Sequence, residues 1–414
     1  MKNFYELRDD YYLDIKAYLD EWEKKLNVRS KDGKFDKHNL QSLGSFSKNL
    51  WENFNINRNE KDKILSDKHY MDSANGIRAY CASFLLPNIE RVFALLVKNE
   101  NSIALKNIFL NEKEELVIAD FGAGPLSATV GFICALKFLF DTNPEIFPPK
   151  KIKIFAIERS EKIFQFGFDL LQKSLLNADN IVVTRLTSTE KIPVNIDIAL
   201  CANIFNEIPE KHRLSNLVNL YSKLNLNGAV LIIEPGQEIH AKSLGNLRNS
   251  FLAGAEDCQI ISPCSHKNLC PLSGTSTRKD WCWFKIGWNP PEALKEIEKF
   301  SKIDHHFLNF SYLFFVKSQI KVNEPFYARI VSDKLNVDFA KKSALDYFMH
   351  NIVQGDKEDF IYAAEHKKLF KMLLCTEDGS LKSTLFSEDG ETELNRGMRF
   401  ARKTALEFLF DERN

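Results

Sequence analysis

Leu116-Val117-Ile118-Ala119-Asp120-Phe121-Gly122-Ala123-Gly124-Pro125 is the stretch from which the fold is read. A short apolar run ending in an acid predicts a strand, and the glycines that follow predict a tight turn opening a helix from about Leu126 to Phe140. Such a turn lets the backbone approach a ligand closely, while the helix start offers unpaired N–H groups. Gly122 and Gly124 supply that approach.

Working outward, Ile152 to Glu158 is a second strand with a helix near 161–176, and Ile181 to Thr184 is a third. Ile196 to Cys201 is a fourth, with its helix from Pro209 to Leu224, and Ala229 to Glu234 is a fifth. Strands alternating with helices mean parallel βαβ units, with helices covering both faces of one sheet. Glu158, at the end of the second strand, is placed to accept hydrogen bonds from ribose hydroxyls. The dehydrogenase pattern Gly-x-Gly-x-x-Gly is missing, because position 127 is Ser. Asp-x-Gly-x-Gly-Pro followed by a strand ending in an acid resembles the S-adenosylmethionine-dependent methyltransferases. That resemblance implies a class I, Rossmann-like α/β sheet and S-adenosylmethionine held by Asp120, Gly122, Gly124 and Glu158. Leu126 crowds the methionine end of such a pocket. Thr187, Ser188 and Glu190 are the candidates for the adenine side. Ala202 to Ile208 is not an Asn-Pro-Pro-Tyr segment. Asn206 and Glu207 are weak catalytic candidates that either orient a substrate or cap the helix at Pro209.

The chain has 414 residues, 44% of them hydrophobic and 27% charged, enough for two or three domains with ordinary cores. Its formal net charge is zero, so any RNA contact has to come from local patches. The first ten residues are neither a signal nor a transit peptide, and no run approaches the eighteen apolar residues of a membrane span. Eight cysteines are too few for a disulfide scaffold, and a reducing cytoplasm is expected. Cys81, Cys134 and Cys201 read as core residues, whereas Cys258 is less clear. Residues 1–110 are expected to be helical, with a polar loop from Arg29 to His38. Residues 111–320 form the methyltransferase-like domain, with a helix from His240 to Leu252, a cysteine-rich insertion at 255–286 and a closing strand at 307–316. Residues 321–414 form a β extension, with a hairpin across Thr376–Gly379 and a final basic helix containing Arg396, Arg399, Arg402 and Lys403.

Within the insertion, Cys264, Cys270 and Cys282 follow a Cys-x5-Cys-x11-Cys spacing, and Cys375 stands far downstream. Four thiolates complete a tetrahedral zinc site or hold a cubane iron–sulfur cluster. The spacing is not the Cys-x2-Cys pair of zinc ribbons. Pro263 and Pro271 stiffen the loop, and Trp281, Trp283 and Phe284 are placed to shield a centre from water. His266 is either a further ligand or a hydrogen-bond donor to a cysteine sulfur or to RNA.

Glu234-Pro235-Gly236, Arg248, Pro263-Cys264-Ser265-His266, Cys270-Pro271-Leu272, Asp280-Trp281-Cys282, Leu374-Cys375-Thr376-Glu377-Asp378-Gly379 and Phe400-Ala401-Arg402-Lys403 together resemble a known family. It is the methyltransferase-like small-ribosomal-subunit proteins, which act in mitochondrial ribosome assembly and have bacterial relatives. The resemblance spans roughly residues 115–410. It implies a [4Fe–4S] cluster on Cys264, Cys270, Cys282 and Cys375, with Zn2+ as the alternative, and binding to small-subunit rRNA during assembly. Two positions depart from the family: Trp283 stands where a His usually follows the third cysteine, and Leu126 replaces a Gly. Residues 241–285 carry six basic side chains (Lys242, Arg248, Lys267, Arg278, Lys279, Lys285) against three acidic, which favours RNA contact locally. The expected function is therefore a ribosome assembly factor. The alternatives are an active rRNA or protein methyltransferase and a redox- or iron-responsive ribosome-binding regulator.

Overall fold

The apolar runs flanking the glycine turn pair side by side in the structure, a computed structural model. It describes residues 8–55, 72–110, 113–147, 150–175, 180–274, 280–318, 326–336, 370–386 and 396–400. β1 (Glu115–Phe121) lies parallel to β2 (Lys151–Ile157), which pairs in parallel with β3 (Ile181–Leu186). On its other side β1 pairs in parallel with β4 (Ile196–Ala202), and β4 with β5 (Leu224–Pro235). The order β3-β2-β1-β4-β5 reverses direction between β1 and β4. At that switch point the loops leaving two neighbouring strands diverge and open a crevice at their carboxyl ends. This is the class I methyltransferase sheet expected from the sequence. These strands belong to the first of two compact units, made of residues 1–233 and 286–308.

Five helices precede the sheet: α1 (Arg8–Leu26), α2 (Lys37–Asn55), α3 (Ala74–Ser83), α4 (Leu85–Val97) and α5 (Asn99–Phe109). Trp22 is completely buried and its indole N–H donates to the Cys81 carbonyl at 2.9 Å, which joins α1 to α3. Cys81, Cys134 and Cys201 are buried core residues, as expected. α6 (Ser127–Thr142) is buried along most of its length. α7 (Glu161–Ser174) buries Ile163, Phe164, Leu170 and Leu171 and packs against α1 and α3, and α8 (Glu210–Ser222) buries Leu217, Leu220 and Tyr221. Among the described residues no single helix is long and apolar enough to cross a membrane.

The second unit comprises residues 234–285 and 309–414. α9 (Glu238–Leu252) leads to β6 (Cys258–Ser262), so the insertion begins with a strand, and Cys258 lies fully buried in it. The cysteine loop ends at β7 (Phe284–Gly287), and the chain then returns to the first unit for α10 (Glu292–Ser301). β8 (Phe307–Lys317) runs antiparallel to β6. A small antiparallel sheet completes the unit: β9 (Ala328–Ile330), β10 (Leu335–Asn336), β11 (Phe370–Thr376), β12 (Leu381–Phe386) and β13 (Arg399–Phe400). β11 and β12 are the expected hairpin. The expected basic helix is corrected at its start: Arg396 and Gly397 form a turn, and Arg399 is in a strand paired with β9. Arg402 and Lys403 lie outside the described residues.

α7 packs so closely on the glycine turn that a Cβ at Gly167 would stand 2.0 Å from the Pro125 carbonyl oxygen. Helix propensity alone favours Gly167→Ala by up to about 1 kcal/mol. The clash is with backbone and has no side chain to yield, so Gly167→Ala is expected to destabilise by about 1–3 kcal/mol. Urea unfolding decides the sign, and a stabilised variant would disprove this packing.

Candidate functional site

Backbone geometry builds the turn after β1. Gly122 has φ of 75° and Gly124 of 50°, both left-handed. The N–H groups of Gly122 and Ala123 donate to the Ile157 carbonyl, tying the turn to the end of β2. Glu158 completes the clamp: one carboxylate oxygen accepts from the Gly124 N–H at 2.9 Å, the other from the Ser160 N–H at 2.8 Å. A Cβ at Gly122 would lie 2.5 Å from Ile204, whereas one at Gly124 would meet nothing within 4 Å. The open side of the turn is therefore at Gly124. Asp120 is buried at the end of β1, where its Oδ2 accepts from the Thr129 N–H and hydroxyl at 3.1 and 2.7 Å. Its Oδ1 is buried without a partner. Burial pushes this carboxyl up to about 6 against the pull of both Thr129 hydrogen bonds, and the Glu158 charge adds to the rise.

The other side of the switch point draws on residues that the sequence left without a role. Asn203, following β4, has φ of 57°, and its amide donates to the Asn88 side chain on α4 at 3.1 Å. Arg91 donates to the same Asn88 oxygen at 2.6 Å. Burial lowers Arg91 to about 10, and its Nε is enclosed without a partner. Tyr80 on α3 is raised by burial first and then by the charge of Glu207, with Cys81 and Glu158 adding. The helical region thus brings polar groups to the segment that leaves β4. One signal was available: Asn88 and Arg91 interrupt the apolar run from Leu85 to Leu96 on one helix face. Asn206 and Glu207 do not cap α8, whose N-cap position is Pro209. The Glu207 N–H donates to Ile204 in a turn. Ser188 caps a short 3-10 turn at Thr189–Lys191 by accepting from the Glu190 N–H.

Leu126 is wholly buried and left-handed, with φ of 65°, just before α6. A left-handed residue with a Cβ costs about 1–2 kcal/mol, so Leu126 is held there by its packing.

The cysteine residues meet within the second unit. Cys270, Cys282 and Cys375 pack on one apolar cluster formed by Leu272, Val331 and Leu373. All four thiols are half-buried, and none is in a disulfide. Burial first, and then the charge of Cys264, push Cys270 up to about 11. Cys282 is raised by burial and then by Cys270, Cys264 and Cys375; Cys375 is raised by burial and then by Cys264 and Cys270. Four sulfurs that repel one another's charge occupy a single neighbourhood, although 111 residues separate the first from the last. His266 is buried, with its Nε2 3.4 Å from the Cys375 sulfur. A zinc ion holds thiolates at about 2.3 Å. Among the described residues no group of three or more His, Cys, Asp or Glu side chains is set to hold a metal ion.

The family profile described as mitochondrial small ribosomal subunit Rsm22 matches residues 138–347, half of the sequence. The chain belongs to the Rsm22 family. No curated protein sequence matches it. Among solved structures it is similar to the magnesium protoporphyrin IX methyltransferase of Synechocystis with bound SAM, at 11% identity and a TM-score of 0.32, covering 66% of this chain and 97% of that one. It is also similar to the ribosomal protein L11 methylase of Lactobacillus delbrueckii subsp. bulgaricus, at 14% identity and a TM-score of 0.28, covering 53% and 79%. The precorrin-6y C5,15-methyltransferase of Geobacter metallireducens gives 16%, 0.29, 53% and 90%. Trp283, where Rsm22-type sequences usually carry a His, stacks under the Arg396 guanidinium at 4.1 Å, and its carbonyl accepts from Arg396 at 3.0 Å.

Asp120 gives this site a pH signature. Its folded pKa of about 6 lies above the ordinary value of 3.8, so its contribution to stability is full below about pH 4 and is lost as pH rises through 6. Relative to Asp120→Asn, the ligand-free wild type is expected to lose on the order of 3 kcal/mol between pH 4 and 7. Urea midpoints at pH 4, 5.5 and 7 measure this, and parallel profiles would refute it.

Proposed function

We propose that this Rsm22-family chain is a methyltransferase-fold ribosome assembly factor. In this reading it binds small-subunit rRNA, carries a [4Fe–4S] cluster on Cys264, Cys270, Cys282 and Cys375, and takes S-adenosylmethionine at the β1 turn. The observation that carries the reading is that three unbridged thiols, Cys270, Cys282 and Cys375, pack on one apolar cluster, with the unbridged Cys264 near enough to act on each of them. Burial, and then repulsion from neighbouring sulfurs, raise the Cys270, Cys282 and Cys375 thiols; a cationic metal centre reverses the balance, because it binds thiolate. The same donor set serves zinc, and the Cys-x5-Cys-x11-Cys spacing favours the cluster. The rRNA partner follows from the family, whose name is that of a small-subunit component.

The residues of the turn also fit the cofactor. Asp120 Oδ1 is an orphaned buried acceptor suited to an ammonium group, and the space beside Gly124 admits a ligand against the backbone. Glu158 is the acceptor for ribose hydroxyls. S-adenosylmethionine supplies an electrophilic methyl group when bound; the protein groups named here bind and orient it.

Full-length protein purified without oxygen is expected to be brown, absorbing near roughly 400 nm, with iron and sulfide in about four-to-four ratio. One tightly bound zinc and no sulfide would sink the cluster. Calorimetric titration with S-adenosylmethionine should give heat with wild type and none with Gly124→Leu, which fills the open side of the turn. A wild type that is folded yet silent removes the cofactor from the proposal. In-cell RNA crosslinking is expected to recover small-subunit rRNA, and reads scattered over unrelated RNAs would overturn the ribosomal reading.

A further inference from the structure

One guanidinium at the switch point has no counter-charge. Arg91, on α4, is half-buried, and its Nε is enclosed without a partner. Its Nη1 donates to the Asn88 side-chain oxygen at 2.6 Å, which is a neutral acceptor. Among the described residues neither Nε nor Nη2 has an acceptor, and no carboxylate pairs with the group. Burial already pulls Arg91 down to about 10, as it does for a cation whose charge is left unmatched. Taking such a group from water costs free energy, which an arriving anion returns.

Two sets of contacts bring Arg91 to the glycine turn. β4 runs parallel to β1 with Leu200 opposite Asp120, so Asn203, three residues on, comes level with the turn. Its neighbour Ile204 packs on Gly122, where a Cβ would stand 2.5 Å from it. Asn203 donates to the same Asn88 oxygen that Arg91 uses, at 3.1 Å, which joins α4 to this end of the sheet. On another side α4 meets α6, since a Cβ at Gly131 would stand 2.7 Å from the Ile89 carbonyl oxygen and 2.8 Å from the Val92 Cβ. Asp120 is tied to the same helix through Thr129. The α4 turn that carries Arg91 and the Asp120 side chain thus both lie against the first turns of α6. Each keeps a buried polar atom unused, a donor Nε on one and an acceptor Oδ1 on the other. Such a pair suits a ligand that carries an ammonium and a carboxylate on one carbon.

We propose that Arg91 holds the carboxylate of the amino-acid end of S-adenosylmethionine, with Asn88 and Asn203 orienting it. This rests on the cofactor reading above, which gives the ammonium to Asp120 and the ribose to Glu158 and leaves the carboxylate without a partner. That carboxylate is the ligand's one anionic group, and Arg91 is the unmatched cation beside the turn. The unused donors Nε and Nη2 share one edge of the planar guanidinium, the edge that grips a carboxylate at two points. Asn88 engages Nη1 and is itself engaged by Asn203, so the plane of the fork is set before a ligand arrives. A lysine at this position would keep the charge and lose the fork.

The test titrates full-length wild type, Arg91→Gln and Arg91→Lys calorimetrically with S-adenosylmethionine and with its decarboxylated form, which keeps the amine and the nucleoside. Urea midpoints first establish that each variant folds. Wild type is expected to bind S-adenosylmethionine about tenfold to a hundredfold more tightly than the decarboxylated form, the range of one charge-assisted contact. Arg91→Gln should reduce that preference to within about threefold by weakening S-adenosylmethionine alone. Arg91→Lys should keep part of it. A wild type with no preference overturns the inference and leaves the cofactor reading intact. So does a folded Arg91→Gln that keeps the preference, or one that weakens both ligands alike, as a merely structural residue would. If Arg91→Gln does not fold, Arg91→Lys decides: a reduced preference supports the carboxylate contact, and an unchanged one overturns it. An unchanged preference together with weaker RNA crosslinking in Arg91→Gln assigns the cation to an RNA phosphate instead and overturns the inference. A folded wild type that binds neither ligand overturns the cofactor reading, and this inference with it.

Discussion

A guanidinium that water cannot reach must direct its donors into the protein, and Arg248 directs them into the cysteine loop. Through the carbonyls of His266 and Asn268 it fixes that loop against α9. Its neighbour Asn249 accepts from the Cys270 N–H at 2.9 Å and so fixes the second cysteine as well. From the loop the network continues to the hairpin: the Asn268 amide donates to the Asp378 carbonyl, and His266 reaches the Cys375 sulfur. Gly379, left-handed at φ of 83°, leaves the room these contacts need, since a Cβ there would crowd Asn268 and His266. Protein contacts alone therefore hold Cys375 beside a loop more than a hundred residues earlier in sequence. A metal centre would tighten an arrangement that hydrogen bonds already specify.

The first unit solves a related problem with the opposite charge. Its turn exposes backbone N–H groups, and the Glu158 carboxylate gathers two of them. In the proposed reading the same carboxylate is the acceptor a ribose would use, so the acid that stabilises the turn would also serve the ligand. Across the switch point, Asn88 takes hydrogen bonds from both Asn203 and Arg91, which makes α4 part of the site rather than a covering layer. An amide is suited to that position because its oxygen accepts from two donors at once.

The sheet was legible because its strands are continuous apolar runs of a type found only when both faces are covered, and because Gly122 and Gly124 mark where a strand ends and a helix begins. Both glycines are left-handed, as that reading requires. Cys375 was legible only by resemblance, since no local spacing relates it to the other three. Arg248 was misread as surface charge: a basic residue among Asn246, Asn249 and Ser250 looks like a solvated helix face, and only tertiary contacts reveal that it points inward. Arg396 and Arg399 failed for a similar reason. Their spacing suits a helix, but Arg399 lies in a two-residue strand whose partner is seventy positions earlier, opposite Arg329. Pairing over that distance leaves no trace in local periodicity.

Burial of Arg248 also changes how the local charge should be weighed. Of the six basic residues between 241 and 285, Arg248 is internal, Lys242 pairs with Glu238 at 2.7 Å and Lys285 with Asp333 at 3.1 Å. Lys267 is exposed, while Arg278 and Lys279 lie outside the described residues. A cation matched by a carboxylate within the fold contributes little to attracting phosphate, and one buried in the protein contributes less. The excess positive charge that favoured RNA contact on sequence grounds is thus largely committed to building the second unit. In the proposed reading, the described part of segment 241–285 offers rRNA a few exposed cations such as Lys267 and no broad basic field, and its contribution to the salt dependence of binding should be correspondingly shallow.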